Sequence, residues 1–227
     1  MDDTESVADV GVSWPAGPAA ERVAALCASC IPGAGVDGGG VSVMTSAGTA
    51  VAVHASDQTS AAIEELQLTL GEGPCVDANA YGRPVLVADL ANRAEGVAGR
   101  WPLFHDEASR MGVRAVFAFP IRIGVIGFGT LDLFRLSEGP LDDTQLAHAL
   151  RVVDALAQAL LDYDTQQDGD DLLSPQMVVH QAAGMVMVQM DSSIEQAMLR
   201  LRATAYAEGI SINLLAAHVV SGRRTLQ

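Results

Sequence analysis

The side chains with the types and spacing for chemistry are few. Cys27-Ala-Ser-Cys30 has the spacing of a redox or metal pair. It falls inside a helical pattern, and no second cysteine pair or nearby histidine pair completes a zinc set. Cys in an alanine-rich helix acts as a small apolar residue, and both are read that way. Cys75 follows Gly73-Pro74 in a segment read as a loop. A reactive thiol needs electropositive neighbours, whereas the local sequence supplies Glu72 and Asp77, which raise a thiol pKa. His54, His105, His148, His180 and His218 show no metal-ligand spacing, so neither a metal nor a cofactor is expected. No phosphate loop, Gly-x-Ser-x-Gly elbow or triad pattern occurs, and the chain is expected not to be an enzyme. What remains is a set of paired arginines near the C-terminus: Arg200 with Arg202, and Arg223 with Arg224.

Charge sets those arginines apart. The 227 residues carry 28 acids and 13 bases, a net of −15, and every base is arginine. Taken whole, such a chain repels nucleic acid, and DNA is not expected as a partner. From residue 172 onward there are only three acids, Asp191, Glu195 and Glu208, against four arginines. Asymmetry of this kind hints at a tail that binds nucleic acid or another surface. Hydrophobic residues make up 49% and charged residues 18%, enough apolar material to exclude a disordered chain. No apolar run approaches the ~18–20 residues of a membrane span. The opening MDDTESVADV lacks a basic segment followed by an apolar one, and three cysteines suit a reducing compartment, so the cytoplasm is expected.

Several elements must position these residues. Residues 1–17 read as a disordered acidic lead. A helix starts at Pro18, since proline suits a first turn. Val41–Met44 and Ala50–Val53 read as a hairpin around Ser46-Ala47-Gly48-Thr49. A helix over Gln58–Leu70 places Ala62, Leu66 and Leu70 on one face. Pro84–Ala88 is a strand, Trp101–Met111 a helix, and Val113–Ile121 and Val125–Leu136 are strands, with Gly127 and Gly129 marking a bend or bulge. Hairpins outnumber crossovers, which predicts an α+β domain with an antiparallel sheet.

From Asp142 to Asp164 a helix carries Leu146, Val153 and Leu160 seven apart, with Ala149, Leu156 and Tyr163 three later. That stripe predicts a dimer seam through Leu146, Val153, Leu156 and Leu160, the alternative being packing on the domain's own sheet. Thr165–Asp171 reads as an acidic linker. Three helices follow in about 50 residues: one from Ser174-Pro175, one capped by Ser192 with Glu195 and ended by Gly209, and one capped by Ser211.

These stretches resemble two known modules. Residues 18–165 are similar to a GAF domain of the actinobacterial type, through Leu70-Gly71-Glu72-Gly73-Pro74-Cys75-Val76-Asp77-Ala78, Pro84-Val85, Asp89-Leu90, Arg100-Trp101-Pro102, Gly112–Pro120 and Gly129-Thr130-Leu131-Asp132-Leu133. Residues 174–226 resemble an ANTAR domain, the helical module of transcription antitermination regulators. There the matching stretches are Gln181–Met187, Ala197–Ala203 and Val219–Arg223. The organisation implied is a GAF sensor over 18–141, a long helix and linker over 142–171, and an ANTAR bundle over 172–227.

The resemblance implies an output that binds paired RNA stem-loops and prevents terminator formation, which suits a homodimer. Arg200, Arg202, Arg223 and Arg224 become candidates for phosphate or base contacts. Tyr206, the only aromatic after Tyr163, becomes the stacking candidate. Many ANTAR modules carry Ala-Lys-Gly in the first helix where this chain has Ala182-Ala183-Gly184, so one RNA contact is missing. Gly184 inside a helix predicts close packing there. A GAF pocket implies an unknown small molecule, with Cys75, Trp101, Phe117 and Phe119 as wall candidates. Asp89, Arg100 and Asp132 fall in family-like motifs and read as structural hydrogen-bonding residues. A chain without lysine cannot carry the Asn-Lys-Phe-Asp motif of cyclic-nucleotide GAF domains. Two other functions compete: a protein-interaction module without RNA binding, and a thiol enzyme reducing free methionine sulfoxide with the three cysteines.

Overall fold

The computed structural model describes residues 17–44, 50–92, 97–124, 126–166 and 174–226. The acidic lead before residue 17, the hairpin turn at 46–49 and the linker from 167 to 171 lie outside the described residues. The element order is α1 (Pro18–Ala34), β1 (Gly38–Met44), β2 (Ala50–Ala55), α2 (Gln58–Leu70), α3 (Pro74–Tyr81), β3 (Val85–Val87), α4 (Val97–Arg100), α5 (Pro102–Arg110), β4 (Ala115–Ile123), β5 (Ile126–Arg135), α6 (Asp143–Gln166), α7 (Ser174–Met190), α8 (Ile194–Glu208) and α9 (Ile212–Val220). The strands form one sheet in the order β2-β1-β5-β4-β3, with every pairing antiparallel.

The two faces of the sheet support separate cores, as strand alternation requires. Phe117, Phe119, Ile121, Leu131 and Leu133 face α1 and α6. Val116, Ala118 and Phe134 face the other way, against Trp101, Phe104 and neighbouring side chains. The bulge expected at the glycines is present: Ile121 pairs with Gly129 and Arg122 with Gly127, so Phe128 is passed over. Gly129 lies so close to the Ser42 backbone across β1 that no Cβ fits there.

The stripe on α6 is buried within the chain. Val153, Leu156 and Leu160 are 7%, 0% and 4% exposed in the first core, and Leu146 packs against it. This corrects the seam expectation: the sheet and α1 already cover the side chains assigned to a partner helix. The heptad spacing arose because a straight helix lying on a sheet also shows one apolar face.

Helices α7 to α9 make the expected three-helix unit around Ala182, Val186, Leu201, Leu215 and Val219. The capping box sits one residue later than expected: Ser193 accepts from Gln196 N at 3.2 Å, and Gln196 Oε1 accepts from Ser193 N at 3.0 Å. Gly184 is not a packing position, since a Cβ there meets nothing within 4 Å among the described residues. Ala183 is fully buried in the same unit.

Candidate functional site

The site grows out of the segment that resembled a loop motif. Gly71 closes α2 in a left-handed turn at φ 67°, its N–H donating to Gln67 O at 2.9 Å. Glu72 then reaches forward, and its Oε1 accepts from Leu103 N at 2.8 Å and Phe104 N at 2.9 Å. Those are orphan donors at the first turn of α5, so the acid caps that helix. Pro74 begins α3, which corrects the loop expectation for Cys75: the thiol belongs to the first turn of a helix. Cys75 N donates to Gln67 Oε1 at 2.8 Å. Asp77 accepts from Trp101 Nε1 at 3.0 Å and pairs with Arg100 Nε at 2.5 Å. The motif thus frames α2, α3 and α5 around one another.

Between β1, α2 and α3 lies a cavity of about 540 Å³. Its polar lining is Ser42, Glu64, Gln67, Cys75, Asn79 and Arg202. Of the expected wall residues, only Cys75 is there. Trp101 packs edge-on to Phe104, with centroids 6.2 Å apart, in the second core. Phe117 and Phe119 are buried on the opposite face of the sheet. Strand parity decides this: odd-numbered positions of β4 face α6, away from the cavity.

Sequence reading missed Glu64 and took its neighbour Asp132 for a structural hydrogen-bonding residue. Glu64, 4% exposed, stands on α2 beside Asp132 of β5, 7% exposed. Burial raises both carboxyls above their ordinary range, and the negative charge of Asp132 raises Glu64 further. The pair shares a hydrogen bond, yet Glu64 Oε1 and Asp132 Oδ2 meet no partner among the described residues. The available signal was spacing: Ser60, Glu64 and Gln67 recur at i, i+4, i+7, and this polar stripe, not Ala62-Leu66-Leu70, is the deeply buried face of α2. Burial, followed by the charges of Asp132 and Glu64, also pushes up the Cys75 thiol, so it is protonated at neutral pH.

The C-terminal helices close the cavity. Leu68 of α2 packs into their core. Glu65 accepts hydrogen bonds from the Ile212 backbone and the Asn213 side chain at the start of α9. Arg202 of α8 lines the cavity beside Gly71, its Nε buried without a partner. Burial lowers its pKa, and no acid pairs with it among the described residues. Tyr206 Oη donates to Glu107 Oε1 at 3.4 Å. The five candidate RNA residues therefore divide. Arg202 and Tyr206 are turned to the sensor half, Arg224 pairs with Glu208, and Arg200 and Arg223 are exposed.

The remaining thiols are structural. Cys27 and Cys30 are fully buried in the first core, and burial pushes them up to about 12 and about 11. Among the described residues no cluster of ligating side chains is arranged for a metal, and no helix is long and apolar enough to cross a membrane.

A five-stranded antiparallel sheet with helices on both faces and a polar cavity on one of them defines a sensor-type α+β domain. The GAF domain family model matches residues 19–160, and the chain belongs to that family of signalling and sensor modules. Solved structures share the fold at low identity. A domain assigned to a two-component sensor histidine kinase protein from Sinorhizobium meliloti 1021 is 15% identical, with a TM-score of 0.54 over 67% of this chain and 99% of that one. The GAF domain of a phosphoenolpyruvate-protein phosphotransferase from Coxiella burnetii is 15% identical, with a TM-score of 0.54 over 66% and 88%. The GAF domain of the cyanobacteriochrome TePixJ is 19% identical, with a TM-score of 0.51 over 71% and 99%. No curated protein matches the sequence.

Proposed function

We propose that this protein is a cytoplasmic, non-enzymatic regulator in which the GAF domain controls an ANTAR-like module that binds RNA stem-loops and acts in transcription antitermination. The observation that carries the reading is the three-helix unit α7–α9, which with the residues just after it holds four of the chain's 13 bases beside an otherwise strongly acidic domain. Arg200 and Arg223 face outward for phosphate contact, while Arg202 and Tyr206 join the pair when the unit lifts from α2. The sensor would act on the balance between docked and released helices. Two hairpins suit a homodimer, built on surfaces other than the buried stripe of α6. Cross-linking the tagged full-length protein in its host and sequencing the bound RNA tests the reading. Enrichment of tandem hairpins overlapping terminators is the expected result, and no RNA enrichment overturns it.

A second reading keeps the fold and changes the partner. Val188 and Leu199 are 75% and 68% exposed on the same three helices, which favours a protein-docking surface. A specific co-purifying protein, with no RNA above background, would support it. The thiol-enzyme reading is disfavoured by the burial of all three cysteines.

A further inference from the structure

We propose that the 540 Å³ cavity binds a small organic carboxylate, with its charged end on Arg202 and its hydrocarbon part against α2 and α3. The proposal rests on the sensor reading above and deepens it by naming the chemical class of the signal.

Arg202 carries a charge that the fold leaves unmatched. Its Nε is buried without a partner, and no acid pairs with it among the described residues. A guanidinium stays protonated in a protein even where burial lowers its pKa, so a positive charge borders the cavity. Nothing else in the lining balances it. Ser42, Gln67 and Asn79 are neutral, and the Cys75 thiol is protonated. Glu64 holds its proton beside Asp132, and its Oε1 lies against Gly40. The lining therefore sets no negative charge against an incoming anion. A partly buried cation without a counter-ion is costly, and an anion that enters removes the cost.

The kind of anion follows from the same residues. A planar guanidinium donates two parallel hydrogen bonds to a carboxylate. One carboxylate leaves the site neutral, whereas a phosphate group carries about 1.5–2 negative charges at pH 7 and would bury an excess. Ala52, Leu68, Val76 and Ala80 supply apolar wall for a hydrocarbon part. Gln67 Oε1 already accepts from Cys75 N, so the amide N–H groups of Gln67 are left to donate to a second polar group of the ligand. The volume falls within the range of about 300–1,000 Å³ typical of small-molecule sites.

The site is composite. Arg202 belongs to α8, whereas Gln67 and the apolar wall belong to the sensor half. A carboxylate seated on Arg202 holds the C-terminal helices against α2. Ligand binding and release of the RNA-binding face then oppose each other.

The test is calorimetric titration of the full-length protein with carboxylates and their neutral amides in matched pairs: propionate with propionamide, hexanoate with hexanamide, and benzoate with benzamide. Inorganic phosphate is the second anionic probe. At least one carboxylate binds, with its amide and phosphate at least ~10-fold weaker. Arg202→Gln weakens that carboxylate about 10- to 100-fold, the loss expected for a charged hydrogen-bonded contact, and brings it to the level of the amide. Ala80→Leu narrows the cavity from α3 without touching Arg202 or α8, and it weakens the same carboxylate at least ~5-fold. This variant keeps the test decisive if Arg202→Gln loosens the helices. Absence of binding by every carboxylate overturns the proposal, as does an amide or phosphate that binds as tightly as the best carboxylate. Full affinity in either variant also overturns it. A deproteinised host metabolite extract separates the two failures. Heat from the extract, with none from any carboxylate, overturns the carboxylate and leaves the sensor reading standing. Heat from neither overturns both.

Discussion

Arg202 of α8 lies across the left-handed turn at Gly71, so that a Cβ on Gly71 would stand 2.7 Å from Arg202 Cζ. One residue closes α2 and the other roofs the cavity, so a side chain at position 71 would push the guanidinium aside. Gly71→Ala therefore loses about 1–2 kcal/mol from its φ of 67° alone, and more from the collision. Adding Arg202→Ala recovers the collision but not the backbone cost. Urea denaturation of the two single variants and the double variant reads this as a non-additive cycle.

The buried acids predict a pH dependence of definite sign. Asp132 is pushed up to about 7 and Glu64 is raised as well, so the folded protein holds protons that the unfolded chain releases near pH 4. The stability from this pair is complete below about pH 4 and is lost as the pH rises through the folded values, about 7 for Asp132. The variant Glu64→Gln/Asp132→Asn lacks that loss. Its thermal midpoint relative to the natural protein rises between pH 5 and 8; a constant difference would contradict the raised values.

Gly184 sits inside α7 with open space where a side chain would go. Gly184→Ala stabilises the protein by about 0.5–1 kcal/mol, the ordinary difference in helix propensity. Calorimetry detects it as a rise in melting temperature. A fall would mean that an unrecognised contact needs the glycine.

RNA binding, if it runs through the outward arginines, is salt-dependent. Arg200→Ala with Arg223→Ala reduces the slope of log affinity against log salt by about 1.5–2, because two phosphate contacts are lost. Filter binding of a two-hairpin RNA between 50 and 200 mM salt measures it, the range over which such contacts change affinity most visibly. An unchanged slope would assign the contact elsewhere.

The thiols should be silent. Cys27, Cys30 and Cys75 are all buried, with burial raising each pKa. Iodoacetamide at neutral pH labels none of them in the folded protein and all three in denaturant. Rapid labelling of Cys75 in the folded protein would revive a thiol role.

Much of the fold was legible because its signals were local. Pro18 at a helix start, Gly71 and Gly209 at helix ends, and Gly127 with Gly129 at the bulge each reflect one backbone requirement visible in the sequence. The site was less legible because its members come from β1, α2, α3 and α8 and are joined only by the tertiary arrangement. Phe117 and Phe119 looked like pocket wall because aromatic residues suit pockets, but strand parity turned them to the other core. Glu64 went unnoticed because an acid in a helix normally marks the wet side. On α2 the burial of Ser60, Glu64 and Gln67 reverses that expectation.

Helix α2 is a partition with a working surface on each side. Ile63, Glu64 and Gln67 look toward the sheet and cavity, while Glu65 and Leu68 look toward the C-terminal helices. Inserting one residue in its middle would turn everything beyond it by about 100° and put both surfaces out of register with their neighbours. Its length and phase are therefore fixed by two neighbours at once. Sequence drift within this helix must preserve number even where it relaxes identity, and a homologue with a single-residue gap there could not keep both the pocket and the docked helices.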